Sequence, residues 1–204
     1  MDNRVRKIVV GGVFSALIIV LGIAGLGFIP LPTGAALTIL QTPVIIAAIL
    51  EGPLVGFCTG LLFGIFSFVQ AAMAATTPFD LAFLQFPWVA LIPRVFIGPA
   101  AWLVYSLVGG SFFNRKTPDI TETREPRASR ETLAIILGAV TGSLVNTVLV
   151  LSSLLLILPE VVRPFLAFAF LNGTIEAGFS AAISLAVILP WKGISRRGKS
   201  KLNR

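Results

Sequence analysis

Long apolar stretches, interrupted by short polar or proline- and glycine-containing breaks, make up most of this sequence. Six stretches can be delimited, and they cover residues 8–29, 35–50, 54–72, 88–108, 132–158 and 164–190. A helix needs about 20 predominantly apolar residues to cross the hydrocarbon core of a bilayer. The pattern therefore predicts an all-α integral membrane protein in which residues 1–204 form a single bundle of six transmembrane helices.

The breaks between the stretches carry turn signals. The first stretch stops at residues 30–34 (PLPTG), and the second ends at residues 51–53 (EGP). The second stretch is short and contains Gln41 and Pro43, so we expect an irregular or tilted helix there. Residues 73–87 form a looser connection, which either stays outside the bilayer or partly re-enters it.

The positive charges favour six crossings over five or seven. Fourteen of the 16 Lys and Arg residues lie before the first stretch, between the fourth and the fifth, or after the sixth. Six crossings place these three segments on one face, whereas five or seven would divide them between both faces. Since cytoplasmic loops are enriched in Lys and Arg, we expect cytoplasmic N and C termini.

Composition agrees with a membrane protein and excludes several kinds of chemistry. Hydrophobic residues make up 56% of the chain and charged residues 12%, and the mean hydropathy is +0.95. The chain has no histidine and one cysteine, Cys58, so histidine-dependent zinc sites, Ser-His-Asp hydrolysis and an internal disulfide are excluded. No GxxxxGK[ST] loop for ATP is present. We expect no enzymatic activity, cofactor, metal or nucleic-acid partner.

Two ionisable side chains, Arg94 and Glu176, lie well inside the apolar stretches. Such residues are costly in a bilayer and are functional candidates by default. The alternatives are that Arg94 snorkels to the outer interface and that Glu176 makes a structural pair or, as a protonated carboxyl group, bonds to a neighbouring helix. Asn172 precedes Glu176 by four residues and shares its helix face.

A second polar group occupies the middle of the fifth stretch, where Asn146 and Thr147 follow Ser143 by about one turn. We expect Asn146 to line a polar pocket together with Asn172 and Glu176. Hydrogen bonding between helices is the alternative, and it is the favoured interpretation for Ser143 and Thr147. Gln41, in the second stretch, is a weaker candidate for the pocket.

Aromatic side chains cluster in and beside the connection at residues 73–87. Phe79, Phe83, Phe86 and Trp88 could stack on a heteroaromatic ligand. For Trp88 the favoured alternative is an aromatic belt at the membrane interface.

Small residues recur at helical spacing in two stretches. Their repeat at 56, 60 and 64 (all Gly) favours close packing between helices of the bundle. In the first stretch, Gly11, Gly12, Ser15 and Ala16 form a similar face. That face is a candidate docking surface for another membrane subunit.

Several segments, taken in order, resemble the substrate-binding S components of energy-coupling factor (ECF) vitamin transporters. Residues 27–64 carry a proline-rich first loop, an xPVIIAAIL helix, a GP turn and a glycine-spaced helix. The fourth stretch carries the PR motif at Pro93-Arg94, and the fifth carries NT at Asn146-Thr147. The sixth carries the NG…E pattern at residues 172–176.

The resemblance implies a six-helix subunit that captures a water-soluble vitamin or vitamin precursor from outside. It also implies a multi-pass protein of a prokaryotic plasma membrane, working with a T-component scaffold and two cytoplasmic ATPases. The substrate stays open among riboflavin, pantothenate, folate, pyridoxine-like compounds and thiamine precursors, and a heterocyclic compound is our expectation. The alternatives are a stand-alone small-molecule transporter or channel and an assembly subunit without a ligand.

By analogy with the family, the fifth and sixth helices and the outer loops hold the substrate. The candidates are Asn146, Asn172, Glu176, Arg94, Gln41, Thr147 and Trp88. Family members often have a histidine at the position of Gln41, which leaves the substrate undetermined. The face containing Gly12 and Ala16 corresponds to an AxxxA face that meets the scaffold, and residues 30–34 correspond to part of a gate.

Overall fold

The computed structural model describes residues 2–30, 36–73, 78–109 and 124–202. Within these ranges the chain forms eight α-helices, a two-stranded hairpin and one 3-10 turn. In chain order they are α1 (Asn3–Ile23), β1 (Phe28–Pro30), β2 (Ala36–Thr38), α2 (Gln41–Glu51), α3 (Pro53–Met73), α4 (Pro78–Gln85), α5 (Pro87–Val108), α6 (Arg124–Ile157), α7 (Pro159–Val162), the 3-10 turn (Arg163–Phe165) and α8 (Leu166–Leu202).

Among the residues that the structure describes, five segments are long and apolar enough to cross a membrane, and they agree with the predicted helical membrane bundle. They run through Arg4–Ile23, Pro53–Met73, Pro87–Val108, Ser129–Ile157 and Pro159–Lys192. The remaining apolar helix, Gln41–Glu51, is shorter. At 1.5 Å per residue it extends only about 16 Å, roughly half of the hydrocarbon thickness.

This short helix, α2, is the centre of the bundle. Ten of its 11 residues are buried, and α1, α3, α5, α6 and α8 all pack against it. Its sequence, QTPVIIAAILE, is apolar on every side, as is typical of a helix with no exposed face. Pro43 lies in the first turn, where its missing N–H would have no helical partner. The irregularity expected here takes the form of a short, fully enclosed helix.

The predicted boundary between the first two stretches was wrong. The first helix ends at Ile23 instead of continuing to residue 29, because Gly25 adopts φ 72°, a conformation that ends a right-handed helix. Residues 28–30 then pair antiparallel with residues 36–38, so that α2 starts at Gln41 and not at residue 35. The predicted turn at residues 51–53 is confirmed, and its Gly52 has φ 101°.

Three further boundaries differ from the hydropathy pattern. The connection at 73–87 contains the helix α4, whose apolar side chains pack into the bundle. Helix α6 begins at Arg124 instead of residue 132, because its first turns are rich in good helix formers although they are polar. Helix α8 continues past Pro190 to Leu202, and it starts at Leu166 instead of residue 164.

The glycine repeat of α3 brings its backbone against α5. A Cβ atom on Gly56 would lie 2.9 Å from the Cα atom of Gly98, and one on Gly60 would lie 2.3 Å from the carbonyl oxygen of Arg94. Any larger residue would push the two helices apart. The expected packing role of these glycines is therefore confirmed, and the contact fixes the position of Arg94.

Two ion pairs join helices at one end of the bundle. Arg6 of α1 donates from Nε to Oε1 of Glu51 over 2.8 Å, and Lys192 of α8 lies 2.9 Å from Oε1 of Glu131. Lys192 also donates to the hydroxyl of Tyr105, which packs against the same apolar core as the last turn of α2. The start of α1 and the part of α8 around Lys192 therefore lie at the same end of the bundle.

Candidate functional site

A buried carboxylate lies at the centre of the polar groups that face the bundle interior. The side chain of Glu176, on α8, accepts three N–H donors from different parts of the chain. Its Oε1 accepts from the main-chain nitrogen of Thr38 over 2.6 Å and from Nδ2 of Asn172 over 3.4 Å. Its Oε2 accepts from Nε2 of Gln41 over 3.3 Å. The predicted pairing of Asn172 with Glu176 on one helix face is present.

Gln41 connects this carboxylate to α6. Besides Glu176, its Nε2 donates to Oγ of Ser143 over 2.7 Å, and its Oε1 accepts from Nδ2 of Asn146 over 3.1 Å. As the first residue of the central helix α2, Gln41 is enclosed on all sides and is fully buried. A residue that was the weaker candidate in the sequence is thus the link between the two stronger ones.

Arg94 lies beside this cluster and does not reach solvent. Only 7% of the residue is exposed, and the guanidinium carbon lies 4.9 Å from the ring centroid of Phe83 and 5.8 Å from that of Phe63. Its Nη1 donates to the carbonyl of Val89 over 2.9 Å. The alternative of a side chain snorkelling to the interface is therefore wrong for this structure, because α4 covers the guanidinium with Phe83.

Two side chains at this cluster carry a buried polar atom with no hydrogen-bond partner among the residues that the structure describes. Nε of Arg94, beside the cluster, can only donate, and Oδ1 of Asn146, within it, can only accept. Buried polar atoms in folded proteins are nearly always paired. A polar ligand could supply the partners that this donor and this acceptor lack.

The other predicted site residues lie outside this network. The hydroxyl of Thr147 donates to the carbonyl of Ser143 over 3.3 Å. The side chain of Thr147 also packs on Gly173, since a Cβ atom added to Gly173 would lie 2.6 Å from Cγ2 of Thr147. Thr147 thus lies at the contact between α6 and α8. Trp88, in the first turn of α5, is 43% exposed. The side chain of Phe79 lies outside the described residues.

The candidate docking face on α1 divides into two parts. Gly12 and Ala16 are exposed, and a Cβ added to Gly12 would meet nothing within 4 Å. Gly11 and Ser15 are partly covered, and a Cβ on Gly11 would lie 3.3 Å from Val55 of α3. Of the predicted gate, Pro30 ends β1, and residues 31–34 lie outside the described residues.

Sequence reasoning missed two contributors to the site. The main-chain N–H of Thr38 has no side-chain signature, so only the fold of the hairpin could reveal it. Phe63 is one apolar residue among many in α3, although its position between Gly60 and Gly64 places it on the face that packs against Arg94.

Comparison with known proteins agrees with the resemblance seen in the motifs. The chain matches the family model described as ECF transporter, substrate-specific component, over residues 6–192. It is also similar to the pantothenic acid transporter PanT of Lactococcus lactis subsp. cremoris (strain MG1363). The two are 30% identical over 165 residues, which cover 74% of this chain and 72% of that protein.

Proposed function

Because the chain belongs to the family of ECF transporter substrate-specific components, we propose that it captures pantothenate outside the cell and delivers it with a T-component scaffold and two ATPases. Members of this family are substrate-binding subunits of vitamin transporters and not enzymes. The chain is a multi-pass membrane protein, and the proposal places it in the plasma membrane of a prokaryote.

The buried cation is the observation that carries the choice of substrate. Pantothenate has a carboxylate at one end, and the unpartnered Nε of Arg94 offers a charge-assisted donor to it. Its amide and hydroxyl groups suit the amide of Asn146, whose Oδ1 has no partner among the described residues. The similarity to a pantothenic acid transporter supports the same choice. A heterocyclic vitamin, our expectation from the sequence, fits less well. The ring of Phe83, a candidate to stack on such a ligand, already packs on the guanidinium of Arg94.

The proposed site therefore consists of Arg94, Gln41, Asn146, Asn172 and Glu176. Thr147 supports it by holding α6 against α8. Trp88, exposed on the first turn of α5, lies where a residue of the pocket rim or of an interfacial aromatic belt is expected.

We further propose six crossings with both termini in the cytoplasm. The second crossing combines α2, about 16 Å long, with the strand β2, whose three residues add about 10 Å. Together they span most of a hydrocarbon core of about 30 Å. Non-helical backbone at this depth requires internal partners, and the pairing of β1 with β2 and the bond from Thr38 to Glu176 supply them. The two ion pairs at one end of the bundle support a common side for both termini.

The exposed part of the α1 face is the proposed contact with the scaffold. Gly12 and Ala16 lie on the exposed side of a helix, next to apolar side chains that also face outward, such as Val13 and Val20. Small residues let another membrane helix approach closely.

Binding of vitamins to the purified protein tests the substrate. We expect pantothenate to bind, and Arg94→Gln to weaken it about 10- to 100-fold, the range for losing a hydrogen bond to a charged group. Arg94→Lys should restore part of the affinity because it keeps the charge. Arg163→Gln is the matched control, since Arg163 is 67% exposed and pairs with Glu160. Equal affinity in the Arg94→Gln and Arg163→Gln proteins would contradict the assignment.

Reconstitution in liposomes tests the partners. Pantothenate uptake should require the scaffold, both ATPases and ATP. Uptake by this chain alone would instead support a stand-alone transporter.

A further inference from the structure

In the hydrogen-bond network of the proposed site, the carboxyl group of Glu176 determines which neighbouring groups donate and which accept. Its Oε1 faces the main-chain N–H of Thr38, a group that can only donate. Its Oε2 receives an N–H from Gln41. Three donors around one carboxyl group are the arrangement that an ionised carboxylate requires, and an ionised carboxylate can only accept.

This direction passes through two amides in sequence. Because Oε2 of Glu176 only accepts, Gln41 must turn its NH₂ group toward it. The carbonyl oxygen of Gln41 then faces α6 and accepts from Nδ2 of Asn146 over 3.1 Å. The remaining atom of that amide, Oδ1, is buried and has no partner among the described residues. Ser143 does not oppose this order, because a hydroxyl can donate or accept.

We propose that Glu176 is a positioning residue that sets the hydrogen-bond polarity of the pocket through Gln41, so that Asn146 presents an acceptor to an O–H or N–H group of the substrate. This inference rests on the proposed function and adds which kind of group the pocket selects at this position. In this role Glu176 acts through Gln41 and not by touching the substrate, because its oxygens already accept from three donors of the protein.

The proposal predicts that replacing Glu176 with Gln reverses the selection. The carbonyl oxygen of Gln at position 176 must still face the N–H of Thr38, so its NH₂ group takes the place of Oε2. The amide of Gln41 then turns over to accept from it, and the amide of Asn146 turns over in response. Asn146 now offers its NH₂ group, a donor, where it offered an acceptor.

Three pantothenate analogues test this selection, each lacking one donor of pantothenate with little change in size. Two carry fluorine in place of one of the hydroxyls, and one carries an ester oxygen in place of the amide N–H. The measured quantity is the ratio of the Kd of each analogue to the Kd of pantothenate. In the unchanged protein we expect one analogue to bind about 10- to 100-fold more weakly than pantothenate, the range for one buried hydrogen bond.

The variants then separate polarity from shape. Glu176→Gln should bring the ratio for a fluoro analogue down toward one, because a hydroxyl can also accept from the NH₂ group of Asn146, and should bring the ratio for the ester below one. Glu176→Asp, which keeps an acceptor-only group, should leave the ratio well above one even if both affinities fall. Asn146→Leu should bring the ratio close to one. A merely structural role of Glu176 would lower both affinities together and leave the ratio unchanged in Glu176→Gln, and that result would overturn the inference.

The proposed function and this inference fail in different ways. Failure of the unchanged protein to bind pantothenate would overturn both. Normal pantothenate binding, with the same analogue ratio in the unchanged and Glu176→Gln proteins, would overturn the inference alone.

Discussion

Helices α1 and α2 are neighbours in sequence and opposites in environment. α1 has 21 residues, and only 17% of its membrane-crossing part is buried. α2 has 11 residues, and ten of them are buried. The longer apolar helix lies at the edge of the bundle, and the shorter one is enclosed by five others.

The contrast shows what apolar sequence means in a bilayer. Lipid tails are as apolar as leucine, so an exposed isoleucine on α1 costs nothing and its burial gains little. Stability must come from close packing, which α2 achieves through small and branched side chains on all its faces. Hydropathy therefore identifies both helices and cannot tell which is central.

Truncating an apolar side chain in each helix should give the largest difference. Ile45 of α2 is fully buried, and Ile8 of α1 is 74% exposed. We expect Ile45→Ala to lower the free energy of unfolding by about 2–4 kcal/mol through the cavity it leaves. Ile8→Ala should change it by less than about 0.5 kcal/mol, because lipid or detergent fills the space. Unfolding in mixed micelles measures both, and equal losses would refute the contrast.

The ion pair that joins the two helices should give an intermediate effect. Glu51 is the last residue of α2, and its side chain is 5% exposed, whereas the side chain of Arg6 on α1 is 41% exposed. Glu51→Gln should cost about 1–2 kcal/mol, since it weakens a charge-assisted bond at a mostly buried group. Glu160→Gln, in the exposed pair with Arg163, is the matched control and should cost less than about 0.5 kcal/mol. A loss of stability in Glu51→Gln no larger than in this control would show that the ion pair between Arg6 and Glu51 contributes little to stability.

A leucine on the exposed face of α1 should leave stability almost unchanged and affect assembly. Gly12→Leu adds a side chain where nothing lies within 4 Å. The free energy of unfolding should therefore change little, and the Kd for pantothenate should stay within twofold of that of the unchanged protein. Recovery of the scaffold and ATPases in a pull-down should fall sharply. Gly178→Leu, at an equally open position on α8, controls for added bulk. Equal recovery with both variants would place the docking surface elsewhere.

The parts of the fold that follow from local pattern were predictable. The spacing of Asn172 and Glu176 fixes a shared face, and the glycines of α3 fix a close approach to another helix. Gln41 was underrated because its role depends on residues more than 100 positions away, Ser143 and Asn146. The hairpin was missed for a similar reason, since strands of three residues carry little pattern of their own.

The bond from Thr38 to Glu176 belongs to the main chain on one side, so every residue except proline can make it at position 38. A serine, a lysine or a tryptophan there would keep this main-chain bond between the hairpin and α8 while changing the side chain next to Glu176. A protein of this architecture can therefore vary position 38 without having to evolve a new way of holding the hairpin in place.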